Sequence, residues 1–343
     1  MALKLPQFAI AAGAVVGLLT IGLCGLVTAA RAQQGAPIED VETIQLRPNF
    51  YMIAGGGSNI AVQIGVDGVV LVDAGAEAAS DRVIAAVKRI TDQPIRYIID
   101  TNADADHVSG NAKVAKAGRN IQFAGSEPLG GDLARDMTNG FAATVLASEG
   151  VLSRMSAPTG KTAAYPSTSW PQETFYQDRR YIYMNGEGVE MFRMPAAHSD
   201  ADIAVFFRAS DVIAAGDVLD MTRFPMIDPA NGGSIQGEID ALNRIIKMTV
   251  TPIPFIYAGS VGTYVIPGHG RACEQLDVVE YRDMVVTIRD IVKDLINSGK
   301  TLEQVKAANP AGPWAPRFGA KTGPWTTDAF IEAIYKSLKG ATK

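Results

Sequence analysis

In the stretch YIIDTNADADHVSGN, Tyr97 to Asn111, three aspartates and one of only three histidines in the chain follow directly on an apolar run. Imidazole nitrogen and carboxylate oxygen are ligands for zinc and also for manganese or iron. A catalytic site built from them needs three or four such groups and one position left open for water. A bound ion lowers the pKa of that water toward neutrality and polarises a carbonyl or phosphoryl oxygen. A carboxylate beside the ion can orient or deprotonate the nucleophile. The other two histidines lie in AAHSDAD (His198) and IPGHG (His269), and a further aspartate, Asp217, lies in AAGDVL. All three histidines follow apolar runs of β type. Each residue also has an ordinary reading: Asp106 can cap the helix that follows, Asp104 can be solvated in its loop, and Asp217 can be a turn residue. Those readings account for the residues singly and leave their joint placement unexplained.

The elements that must position these groups alternate between strand and helix, with glycines as punctuation. NIAVQIGVDGVVLVDAG, Asn59 to Gly75, reads as two β runs joined by a turn at Asp67-Gly68, a dipeptide suited to a tight hairpin. A helix is expected from about Ala79 to Ile90, with Val83, Ile84, Val87 and Ile90 on one face. IRYIID is a buried strand that delivers the ligand-rich segment at its carboxyl end, and Val108 to Ala117 is a short helix closed by Gly118. Leu133 to Leu152 has a helical pattern. Ser156 to Gln172 has the Pro, Ser, Thr and Gly content of a loop, either a binding loop or a mobile insertion. Val189 to Leu219 contains three short β runs, with His198 and Asp217 at or just beyond their ends, and YVIPGHG is a strand ending in the turn that carries His269. Helical patterns at Leu276–Asn297 and Thr327–Leu338 close the chain.

Together these segments resemble the metallo-β-lactamase superfamily. That family carries a His-x-His-x-Asp-His motif after a strand, then a Gly-His, a Gly-Asp or cysteine, and a final Gly-His. NADADH (Asn102 to His107), AAHSDAD, AAGDVL and IPGHG match in order and spacing, and VVLVDAG is similar to the family's first strand pair. The resemblance covers roughly Val41 to Asn297. It implies a four-layer αβ/βα sandwich, two mixed sheets face to face with helices outside and metals at one edge. It also implies a metal position held by Asp106, His107 and His269, with Asp217 bridging or completing the shell. Asp104 and His198 would form the other position, helped by the amide oxygen of Asn102, and Asp106 would be the catalytic carboxylate. Asn102 and Asp104 stand where the family has histidines, and oxygen-rich ligation shifts preference from zinc toward harder ions. One or two zinc ions are expected, with manganese or iron as alternatives, and a fold without metal is a further outcome. The implied activity is metal-dependent hydrolysis of a small ester, lactone, amide or β-lactam. The alternative is a non-catalytic secreted binding protein that keeps the fold with a weakened metal site. Arg223 is either a holder of substrate carboxylate or a surface salt-bridging residue. Asn231, Gly232 and Gly233 form a substrate loop or a plain turn, and Tyr165 and Trp170 could wall the site from the long insertion.

Composition bounds the remaining readings. The chain has 343 residues, 47% hydrophobic and 20% charged, enough to bury a substantial core. A net charge of -5 provides no cationic surface for nucleic acid. Lys4, the apolar run Phe8 to Val27 and ARA at Ala30 to Ala32 read as a signal peptide cleaved before Gln33, with an uncleaved anchor as the competing reading. Taking Lys4 and Arg31 from 31 basic residues leaves 29 against 36 acidic ones, so the processed chain is acidic. It is expected in the periplasm or secreted, acting on a small molecule, with no stable membrane insertion. Cleavage also removes Cys24 and leaves Cys273 alone, which excludes an internal disulfide. The expected organisation is a signal peptide at 1–32, a metallo-β-lactamase-like domain at 41–310 with an insertion at about 127–185, and a C-terminal extension with a helix at 311–343.

Overall fold

Alternation of side chains along each strand decides which layer every residue joins. The computed structural model describes residues 40–120, 142–160, 162–252 and 262–340. The expected signal peptide and the first part of the helix expected from Leu133 lie outside the described residues. The first sheet has the order β1-β2-β3-β4-β5-β6-β9. Its strands are β1 (Glu42–Arg47), β2 (Phe50–Gly56), β3 (Ser58–Gly65), β4 (Gly68–Val72), β5 (Ile95–Ile99), β6 (Thr144–Ser148) and β9 (Glu173–Phe175). Strands β7 (Pro158–Thr159) and β8 (Thr162–Ala163) form a small hairpin of their own. The second sheet runs β10 (Arg179–Met184), β11 (Glu187–Arg193), β12 (Ile203–Phe207), β13 (Val212–Asp220) and β14 (Tyr264–His269).

On β4, Val70 and Val72 face the second sheet while Val69 and Leu71 face the helices. On β12 and β13, Ile203, Val205, Val212 and Ala214 point into the same inter-sheet core, and Ala204, Ile213 and Ala215 point outward. This period of two, with both faces apolar, makes each sheet a middle layer. Helices α1 (Ser80–Ile90), α2 (Ala105–Val108), α3 (Asn111–Ala117) and α4 (Glu149–Ser156) belong to the first half of the chain. Val83, Ala86 and Val87 of α1 and Val114 of α3 cover the outer face of the first sheet. Helices α5 (Ile235–Met248), α6 (Gln275–Asn297), α7 (Leu302–Ala307), α8 (Ala315–Phe318) and α9 (Thr327–Gly340) follow. Ile239, Leu242 and Ile245 of α5, Tyr281, Val285 and Ile288 of α6, and Phe330 and Ile334 of α9 cover the second sheet. The result is the expected four-layer αβ/βα sandwich.

Three local expectations are corrected. Thr144–Ser148, read as part of a helix, is strand β6, and the helix begins only at Glu149. All five β6 residues are buried. Burial on both faces of a sheet favours extended backbone in a short apolar run whatever its propensity. The single helix expected over Val108–Ala117 is two pieces, α2 and α3, broken at Ser109-Gly110. A Cβ at Gly110 would lie 2.4 Å from the Ala74 carbonyl oxygen, so the break lets the segment pack against the end of β4. Asp217 lies inside β13 rather than beyond its end. Residues 40–343 form one compact unit, and α9 packs into its core. Among the described residues no helix is long and apolar enough to cross a membrane.

Candidate metal centre

The six predicted ligand residues come together from α2, the loop after β11, the inside of β13 and the end of β14. His107 belongs to the short helix α2 directly after β5, and it is fully buried. Its backbone carbonyl accepts from Ala74 N–H (2.9 Å) and Gly75 N–H (3.0 Å), which ties α2 to the end of β4. Its ring Nδ1 donates to Asp73 Oδ2 at 2.8 Å. That bond turns Nε2 toward Asp217 Oδ1, 3.2 Å away. His269, the last residue of β14, brings Nε2 to 3.4 Å from the same Asp217 oxygen and 3.3 Å from Asp106 Oδ2. His198 points Nε2 at Asp104 Oδ2, 3.3 Å away, while its Nδ1 donates to the Met226 carbonyl at 2.6 Å.

The ligand atoms form two triads, Asp106 with His107 and His269, and Asp104 with His198 and Asp217. Within each triad all ligand atoms lie within 4.8 Å of one another. Asp217 also contacts both histidines of the first triad, so its carboxylate stands between the two. Asp217 is aimed there by an irregularity in β13: its parallel register with β14 shifts on both sides of Gly216, whose φ is +54°. A Cβ on Gly216 would lie 2.7 Å from Thr101, so the glycine in AAGDVL serves both the backbone conformation and the close approach.

The electrostatics of this cluster are those of a cation site. Burial alone would strip His107 of its proton, but Asp217 and Asp73 outweigh it and hold the pKa well above the usual value. For His198, burial is outweighed by Asp104, Asp202 and Asp217, which raise the pKa to about 10. For His269, Asp106 and Asp217 do the same and raise it to about 9. Burial favours the neutral form of Asp217, yet His107, His269 and His198 hold its pKa well below the normal carboxylate range. Imidazolium protons thus balance the carboxylates in the ion-free protein, a role that a divalent cation would take over on binding. The donor set fits such an ion. His107 Nε2, His269 Nε2 and Asp217 Oδ1 are buried without a hydrogen-bond partner although the two nitrogens lie 3.2 and 3.4 Å from the carboxylate oxygen, close but not aligned for hydrogen bonds.

Other residues of the opening stretch have different roles. Asp100 turns away and accepts from Asn111 Nδ2 at 2.8 Å, and burial together with nearby Asp73 raises its pKa well above normal. The Asn102 amide oxygen accepts from the Asp104 backbone N–H at 2.8 Å, which shapes the loop. Arg223 is ion-paired with Asp220. Burial works against its charge, but Asp220, and then Asp217 and Asp106, raise its pKa. Asn231 closes a 3-10 turn capped by Asp228, and its carbonyl accepts from Asp200 N–H at 3.0 Å, so the segment is a turn that braces the His198 loop. Tyr165 and Trp170 pack against a small apolar cluster that includes Ala103, Val108 and Ala201, and the Tyr165 hydroxyl donates to the Ala103 carbonyl at 3.1 Å.

Sequence reading missed Asp73 as a site residue, although it lies in the quoted VVLVDAG. Besides His107 it accepts from the Thr101 N–H at 2.8 Å and from the Thr101 hydroxyl. It holds φ at +66°, an unusual conformation for a residue other than glycine and the one signal that only the backbone could supply.

A family model described as the metallo-beta-lactamase superfamily matches residues 53–269. The chain belongs to the metallo-beta-lactamase superfamily. Among solved structures it is similar to a double mutant of the sec-alkyl sulfatase PisA1, at 13% identity and a TM-score of 0.59. That match covers 88% of this chain and 50% of the other. The stereoselective inverting sec-alkylsulfatase Pisa1 from Pseudomonas sp. gives 14% identity and a TM-score of 0.57, covering 86% and 50%. This chain therefore spans about half the length of the alkylsulfatase chains it matches. A metallo-beta-lactamase from Pontibacter korlensis matches at 16% identity and a TM-score of 0.49, over 71% of this chain and 98% of that one. No curated protein sequence matches. At these identities the two alkylsulfatase structures show that the fold is shared.

Proposed function

We propose that this metallo-beta-lactamase superfamily member is a metal-dependent hydrolase of a small ester, lactone, amide or β-lactam. The observation that carries the reading is the convergence of two His/Asp triads on one buried carboxylate, Asp217. Asp106, His107 and His269 would hold one ion, and Asp104 and His198 would hold a second, with Asp217 shared. Zinc fits the three imidazoles, and the three carboxylates also suit manganese or iron. Such an ion supplies an acidified water and an electrophile for the substrate's carbonyl, phosphoryl or sulfuryl oxygen.

The residues divide the remaining work by burial. His107 and Asp217, 0% and 4% exposed, are closed off from substrate and can only hold. Asp104 and Asp106, 34% and 38% exposed, stand at the open edge. Nearby histidines help keep Asp106 ionised despite burial, so it is the carboxylate placed to orient water and accept its proton. Tyr165 and Trp170 exclude solvent on the side of the Asp104 loop. The composition of residues 1–32 supports export to the periplasm or beyond, where the substrate would be met.

The test is purification without chelator, elemental analysis, and a hydrolysis screen over lactones, phosphoesters, sulfate esters and β-lactams. Sulfate esters are included because the two alkylsulfatase structures share the fold. Retained ion and turnover that disappears with chelator and returns with metal are the expected result. A protein with no ion above background and no turnover in any class would refute the reading.

A further inference from the structure

The two triads are fastened to different parts of the chain. On the side of Asp106, His107 and His269, the Asp106 carbonyl accepts from Ser58 Oγ at 2.9 Å, the His107 carbonyl from the end of β4, and the His269 carbonyl from Met221 N–H at 3.0 Å. On the other side, the loops that carry Asp104 and His198 are both tied to α4 and the residues after it. The Tyr165 hydroxyl donates to the Ala103 carbonyl, next to Asp104, at 3.1 Å. Tyr165 is itself fixed, since its N–H donates to the Met155 carbonyl of α4 and its carbonyl accepts from Trp170 Nε1, both at 3.0 Å. Arg154 of α4 is ion-paired with Asp200, two residues beyond His198, and donates to the Asn231 carbonyl at 2.7 Å. Ser148, at the N-cap of α4, donates its hydroxyl to the Ala201 carbonyl at 2.6 Å.

Apolar packing closes the same bridge. Ala103 from one loop and Ala201 from the other lie in a single buried cluster with Val151 and Met155 of α4. Val108 joins them from α2, whose backbone is held at the end of β4. A Cβ on Gly150 would lie 2.9 Å from Ala201 Cβ, so α4 stands directly against the His198 loop. Asp104 Oδ2 and His198 Nε2 thus face each other, 3.3 Å apart, from two loops that a third element spans. Ligands held in place before an ion arrives spare the binding step the cost of ordering them.

We propose that α4 and residues 162–170 are a brace for one metal position, with Tyr165 and Arg154 as positioning residues that set the span between Asp104 and His198. The brace controls affinity at the Asp104–His198–Asp217 position and leaves the Asp106–His107–His269 position to its own supports. The proposal rests on the metal reading above and gives the segment after β6 a role in it.

Zinc titration calorimetry of chelator-stripped protein reads the two positions as separate steps. Tyr165→Phe should weaken one step by about three- to tenfold and Arg154→Gln the same step by about two- to fivefold, with the other step unchanged. In a His198→Ala background, which dismantles the braced position, neither substitution should affect the step that remains. Amide hydrogen exchange in the ion-free protein needs no metal. Tyr165→Phe should speed exchange at the Asp104 N–H by about three- to tenfold. The Ala74 and Gly75 N–H groups, bonded to the His107 carbonyl, should keep their rates and so show that the variant is folded. Equal weakening of both steps, an effect that persists in the His198→Ala background, or unchanged exchange at Asp104 would each overturn the brace. Faster Asp104 exchange in Tyr165→Phe, in a protein that takes up no zinc, would support the brace and sink the metal reading.

Discussion

At the scale of single residues, the two positions where histidines of the family motif are replaced are not equivalent. Asp104 still points a carboxylate at His198, whereas Asn102 is committed to a backbone N–H. His269→Ala removes an imidazole that faces both Asp106 and Asp217, and should lower metal affinity by more than the roughly 10–100-fold typical of losing an outer partner. Asn102→Ala removes one loop hydrogen bond, worth about 1 kcal/mol, and should change metal affinity by less than tenfold. Metal titration calorimetry of both variants checks the contrast, and equal losses would contradict it. The same residues set a pH dependence. His198 and His269, raised to about 10 and about 9, stabilise the ion-free fold by binding protons. Because the folded values exceed the unfolded value of roughly 6.5, that stabilisation is complete below about pH 6.5 and is lost as pH rises through 9 to 10. Metal needs the neutral rings, so apparent metal affinity should rise over the same interval with release of protons. Calorimetry of ion-free protein from pH 6 to 10 should show a falling Tm, and titrations in buffers of different ionisation enthalpy should show the protons leaving.

At the scale of elements, the site depends on how loops are stitched to one another. The His198 carbonyl accepts from Asp228 N–H at 2.9 Å, its ring is held by Met226, and a Cβ on Gly233 would lie 2.1 Å from the His198 oxygen. Gly233→Ala must therefore push the His198 loop away from Asp104. It should weaken metal binding at the Asp104–His198–Asp217 triad by at least tenfold and leave the Asp106–His107–His269 triad nearly intact. Two-site metal titration reads the difference, and equal weakening of both sites would show that the loops move together.

At the scale of the whole molecule, α9 is part of the core although it lies outside the stretch matched to the family. Phe330, Ile331 and Ile334 are at most 1% exposed, and Phe330 stacks on Phe224 with ring centroids 4.9 Å apart. Full burial of each such side chain contributes about 1.5–3 kcal/mol, so the three together rival the roughly 5–15 kcal/mol by which a domain is stable. Deleting residues 327–343 should therefore give an aggregating or unfolded protein. A soluble truncated chain with an unchanged thermal transition would show that α9 is dispensable.

What the sequence determined by itself is what is written locally. Strand and helix periods, the turn at Asp67-Gly68, and the four ligand-bearing segments were legible because side-chain alternation and turn chemistry act over a few residues. The ligand types were legible too, since the metal chemistry of histidine and aspartate does not depend on context. Tertiary structure alone decided which aspartates serve. Asp100 turns to Asn111, Asp73 steadies His107 from 34 residues away, and Asp217 stands between both triads because β13 is irregular at Gly216. It also turned Thr144–Ser148 from helix to strand, since burial between layers outweighs local propensity. Side-chain direction at the end of a strand depends on register with neighbours distant in sequence, and that register exists only once the two sheets have packed.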